Sequence, residues 1–138
     1  MAIARDVAKR SIVLMQNEKK ILPLSKSTGK IAVIGHLAAD KDTPLGNWRA
    51  RADWDSAVSL LEGIQNAVGA NVEVTYNEGY TMSADNGNFA AGLVYPEDDG
   101  SGFESAINNA SNADVVIMVV GEQALQSGEG RSVSNPKL

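Results

Sequence analysis

The chain has 138 residues, the size of one ordinary domain, and 43% of them are hydrophobic against 21% charged, a balance that suits a globular fold rather than a disordered one. Seventeen acidic against twelve basic residues leave a net charge of −5 with no basic stripe, which argues against phosphate-driven nucleic-acid binding; the longest apolar run, Val115 to Val120, is far short of the roughly 20 residues that span a bilayer. Cysteine is absent and His36 is the single histidine, so disulfides, thiolate zinc sites and cysteine nucleophiles drop out, and neither a histidine-rich metal site nor a Ser–His–Asp triad is expected.

Residues 2 to 17 read as a helix, with Ala4, Val7, Ala8, Ile12 and Met15 on one face. Met1 opens directly into this pattern, with Arg5, Lys9 and Arg10 spread along it, unlike a secretory signal; the compartment stays open. Leu22-Pro23-Leu24 is an extended connector. Lys30 to Ile34, closed by Gly35, is a short apolar run of the kind buried in parallel sheets. A polar loop over residues 36–55 carries Trp48 and Trp54, and Asp55 or Ser56 is placed to cap the next helix. That helix presents Ala57, Leu60, Leu61, Ile64, Ala67 and Val68 as a stripe and stops near Gly69.

Asn71 to Tyr76 alternates and is β-branched, which predicts a second strand. The loop from Asn77 to about Gly100 is rich in Gly, Asn and Asp; loops this long are uncommon unless they serve a site or are disordered. Ser101 and Glu104 have capping-box spacing ahead of the helix face of Phe103, Ala106, Ile107 and Ala110. Asp114 to Gly121 is the third and most apolar strand, and the polar residues 122–138 read as a loop or tail. The predicted organisation is an N-terminal helix and connector (1–24), a βαβαβ core (25–121) and the tail (122–138). Helical crossovers imply parallel strands. The expected fold class is α/β, a three-layer sandwich with a mainly parallel sheet, or part of one, with three strands visible.

Ligands of open α/β sheets sit beyond the carboxyl ends of the strands, here the loops at 36–54, after Tyr76 and at 122–138. Gly35-His36-Leu37 is not a dinucleotide fingerprint, and Gly128-Glu129-Gly130-Arg131-Ser132 has neither a preceding strand nor the lysine of a phosphate loop, so a nucleotide-binding domain is disfavoured. The latter stretch nonetheless sets a carboxylate between two glycines that allow close approach of a ligand, with Arg131 near enough in sequence to hold it; a solvated turn has the same composition. Trp48 and Trp54 offer flat faces for the C–H surfaces of sugars, or else pack against the sheet edge. Asp40, Lys41 and Asp42 read as loop solubility, and His36 as a residue that hydrogen-bonds locally.

Five segments occur in one order: residues 4–17, Ile21 to Leu24, Ile31 to Gly35, Leu60 to Ile64, and Ala113 to Glu122. Together they closely resemble the C-terminal α/β-sandwich domain of glycoside hydrolase family 3, the family of many β-glucosidases and β-xylosidases. The resemblance implies a retaining β-glycosidase whose preceding barrel domain, missing here, supplies the nucleophilic aspartate. Ser127-Gly128-Glu129-Gly130 resembles the family's acid/base loop, so Glu129 is the implied acid/base, with Glu122 as the fallback and Trp48, Trp54 and Arg131 as substrate-binding candidates. The implied substrate of the parent is a β-linked oligosaccharide or glycoside; no cofactor, metal, nucleic acid or membrane is implied. The alternative is a non-catalytic carbohydrate-binding or interaction module. As a fragment of such an enzyme the isolated chain is expected to be inactive, and to self-associate or leave its C-terminal segment poorly ordered.

Overall fold

The computed structural model describes residues 2–49, 51–53, 55–80, 100–126 and 128. Its elements run α1 (Ala2–Ser11), β1 (Lys30–Ile34), α2 (Leu60–Ala67), β2 (Glu73–Asn77), α3 (Ser101–Ser111) and β3 (Val115–Met118), with single 3-10 turns at His36–Ala38, Thr43–Leu45 and Ala124–Gln126. The strands form one parallel sheet in the order β2-β1-β3, with Ile31 opposite Val74 on one side and Val115 on the other. This is the α/β architecture expected from the alternation of strand and helix patterns.

β1 is central, and Ile31, Ala32 and Val33 are at most 1% exposed. Full burial of a side chain such as Ile31 or Val33 contributes about 1.5–3 kcal/mol each. Because strand side chains alternate, Ile31 and Val33 face one layer, where Leu61, Ile64 and Val68 pack on them beside Val72, Val74, Ile117 and Val119. The opposite layer is α3, which buries Ala106 and is tied to β2 by Thr75 Oγ1 donating to Asn109 Oδ1 (2.7 Å) and Asn77 Nδ2 donating to Ser105 Oγ (2.6 Å). The start of the sheet is pinned by Asp114, whose Oδ2 accepts from the Lys30 amide at 2.8 Å while its own amide donates to the Lys30 carbonyl at 3.0 Å.

The structure corrects several boundaries. α1 stops at Ser11 rather than 17, and Ile12, Val13, Leu14 and Met15 are exposed. The β-branched pair Ile12-Val13 is a poor helix former, and among the described residues nothing packs on the apolar face that the periodicity marks; a short helix depends on such packing. Ser59, not Asp55 or Ser56, caps α2: its side chain accepts from the Glu62 amide at 3.1 Å, and Ser56 is used in a turn back to Asp53. Ser101 is the first residue of α3 rather than its cap, which is Gly100 in the left-handed region (φ 68°). The long loop falls largely at 81–99, outside the described residues.

Candidate functional site

The carboxyl ends of all three strands converge on His36. Gly35 makes this possible: at φ 123° it brings β1 so close to β3 that a Cβ there would lie 2.2 Å from the Val119 carbonyl oxygen, a position closed to any other residue. His36 follows in a 3-10 turn, with its Nδ1 2.7 Å from Glu78 Oε1 beyond β2 and its Nε2 2.7 Å from Gln123 Nε2 beyond β3. A carboxylate only accepts hydrogen bonds, so Nδ1 donates to Glu78; in that tautomer Nε2 accepts from the Gln123 side-chain amide. The hydrogen bonding expected of His36 is present, but it joins distant segments instead of neighbours in sequence.

The loop after β1 reaches the segment after β3 at further points. The Ala124 amide donates to Thr43 Oγ1 at 3.3 Å, and Asn47 Nδ2 donates to the Ala124 carbonyl at 2.8 Å. Gly128, at φ 116°, lies against Asn47. The loop itself is rigidly built. Asp40 accepts from the amides of Asp42 and Thr43 and from the Thr43 hydroxyl. Arg49 donates to Asp42 Oδ2 at 2.7 Å and to the Asp42 carbonyl at 2.9 Å. Lys41 pairs with Asp55 at 3.1 Å and Glu62 at 3.2 Å. Its hydrogen bonds to Asp55 and then Glu62 raise the Lys41 pKa above the ordinary lysine value. The charged run at 40–42 is therefore structural, not a solvated decoration.

Of the residues singled out in the sequence, Trp48 lies beside Asn47 on this loop and is 75% exposed, so it is not packed against the sheet edge. Glu122 is exposed just beyond β3 and lines, with His36, Glu78 and the apolar Ile34, Phe103 and Met118, a cavity of about 360 Å³. Tyr80 meets Phe103 edge to face at its side, with ring centroids 6.2 Å apart. Trp54, Glu129 and Arg131 lie outside the described residues. Among the described residues no group of three or more His, Asp or Glu is placed to hold a metal ion. The sequence reading missed Thr43, Asn47, Glu78 and Gln123; the rule that sites gather at strand ends marks their loops, but no spacing marks the pairing.

Residues 12–138 match the Glycosyl hydrolase family 3 C-terminal domain. The chain belongs to that family. It is similar to a periplasmic beta-glucosidase of Salmonella typhimurium, 37% identical over 96% of this chain and 18% of that protein. A beta-xylosidase of Formosa agariphila is 31% identical over 92% of this chain and 16% of the relative. Among solved structures, the beta-glucosidase from Listeria innocua in complex with glucose superposes with a TM-score of 0.68 at 27% identity, over 94% of this chain and 15% of that one. A family 3 exo-beta-xylosidase bound to a xylobiose aziridine probe gives 0.67 at 29% identity, over 89% and 14%. The chain thus spans less than one fifth of the length of these relatives.

Proposed function

We propose that this domain supplies the acid/base side of a retaining β-glycosidase site, with Glu129 as the acid/base and a barrel domain providing the nucleophile. The observation that carries the reading is the convergence of two loops: the one bearing Trp48 and the one leading to Glu129 are joined through Asn47, Ala124 and Gly128 at the carboxyl edge of the sheet. Similarity to β-glucosidases and β-xylosidases supports a terminal β-linked glucose, xylose or related sugar as substrate.

In this reading the two carboxyl groups stand about 5 Å apart. The barrel carboxylate attacks the anomeric carbon while the bond to the leaving oxygen breaks and Glu129 gives that oxygen its proton. Glu129, now ionised, then takes a proton from water; the water oxygen attacks the anomeric carbon and releases the carboxylate. Trp48 and Trp54 form the stacking surface of the leaving-group side, and Arg131 holds the acid/base carboxylate or an acceptor near it. Glu122 is the second candidate for the acid/base.

The test is Glu129→Gln beside Glu122→Gln in the full-length enzyme, comparing kcat/KM for a β-linked disaccharide and for an activated aryl glycoside. Glu129→Gln should depress the first by about 10²–10⁴-fold and spare the second, because a good leaving group needs little protonation. The same pattern in Glu122→Gln alone would move the role to Glu122. A full-length protein that binds glycans through the exposed Trp48 and never turns them over would instead be a carbohydrate-binding module.

A further inference from the structure

We propose that His36 is a positioning residue: by bridging Glu78 and Gln123 it fixes the segment from Glu122 to Gln126, on which the action of the proposed acid/base, Glu129, depends. The inference rests on the reading of Glu129 as the acid/base. From the end of β1, the His36 side chain bonds to the segments beyond both β2 and β3. Both bonds are short, at 2.7 Å, and the histidine side chain is only 21% exposed.

The arrangement has a direction. Glu78 selects the tautomer and fixes the ring plane by accepting from Nδ1. That leaves Nε2 as an acceptor aimed at one donor, the Gln123 amide. Gln123 is in turn folded into the turn that follows, where its backbone N–H donates to Gln126 Oε1. Its neighbour Ala124 carries the two bonds to Thr43 and Asn47. The chain after β3 is thus held on three sides before Gly128. Lys41 on the β1 loop pairs with Glu62 of α2, and Asp42 pairs with Arg49 within the loop, so none of them takes the place of His36.

Positioning at this range acts on rate rather than on affinity, since a displacement of about 1 Å in a catalytic group can cost about 10²-fold. In the full-length enzyme, His36→Leu keeps much of the volume and removes both bonds. We expect kcat/KM for a β-linked disaccharide to fall about tenfold or more, while an activated aryl glycoside changes less than about threefold. Gln123→Leu cuts the same link from the other side and should give the same split. His36→Gln offers an amide donor to Glu78 and an amide acceptor to Gln123, and should recover most of the loss.

Equal losses on both substrates in His36→Leu and Gln123→Leu would overturn the proposal, because a merely structural residue lowers the amount of competent enzyme and scales both. No loss in either variant would overturn it too. If His36→Leu does not fold, Gln123→Leu and His36→Gln decide the outcome by the same ratio. A leaving-group split in Glu129→Gln with none in these variants defeats the positioning role alone; no split in Glu129→Gln defeats the acid/base reading itself.

Discussion

Gly128 and Asn47 touch although α2, β2, α3 and β3 separate them in sequence: a Cβ placed on Gly128 would lie 2.5 Å from Asn47 Cγ. Asn47 cannot yield freely, because its amide holds the Ala124 carbonyl at 2.8 Å. Gly128 also has φ 116°, a conformation that L side chains rarely adopt. Glycine at 128 is therefore demanded twice, by space and by backbone. Gly128→Ala should destabilise the domain by about 1–3 kcal/mol. Asn47→Ala should relieve part of that cost, so the double variant should be less destabilised than the sum of the single ones. Denaturant unfolding of the four proteins measures the coupling.

The core is concentrated on one strand. Ile31→Ala, at a position 1% exposed, should cost about 2–5 kcal/mol. Ile107→Ala removes a similar side chain from a position 65% exposed and should change stability by no more than about 0.5 kcal/mol. Thermal or denaturant melts of the two variants check the contrast.

Two groups make the fold sensitive to alkali. Hydrogen bonds to Asp55 and Glu62 raise the Lys41 pKa, and burial, then the charge of Glu78, raises that of Tyr76. Each holds its proton more tightly folded than unfolded, so its stabilisation is complete below the unfolded pKa and is lost as the pH rises through the folded one. Stability should therefore be flat around neutrality and decline above about pH 10. Lys41→Met should make that decline shallower, and an unchanged alkaline limb in a pH series of unfolding midpoints would contradict the assignment.

The sheet leaves β3 with one bonded neighbour among the described residues; Val116 and Met118 on it are 42% and 67% exposed, and Val120 just beyond it is 66% exposed. An apolar edge of this kind pairs readily with another chain. Purified as 138 residues, the protein should self-associate, seen as a sedimentation coefficient that rises with concentration. It should show no hydrolysis of aryl β-glycosides, because the proposed nucleophile belongs to another domain. A compact monomer at high concentration, or turnover that tracks Glu129, would refute these expectations.

The parts of the fold legible in the sequence are those governed by local pattern. The apolar runs at 31–34 and 115–118 and the stripe from Leu60 to Val68 declare their partners by composition alone. The pattern overextends α1 because periodicity reports a face, not what covers it; Met15 completes the stripe and is 92% exposed. Asp55 and Ser56 are cap types ranked alongside Ser59, so residue type alone points three or four residues early, and only the helix register chooses Ser59. At the site, the glycine-flanked Glu129 and the tryptophans are visible as residue types. His36–Glu78 and His36–Gln123 are not, since each joins segments whose proximity exists only once β1 lies between β2 and β3.

The central claim is that Glu129 is the acid/base of a retaining enzyme, and azide rescue tests it most directly. In full-length Glu129→Ala, an activated aryl glycoside should still load the nucleophile, but water should then react slowly for want of a base. Azide needs no deprotonation, so added azide should restore turnover and yield the β-glycosyl azide, identified by NMR. Failure of azide to accelerate Glu129→Ala, or formation of the α-azide, would contradict the account.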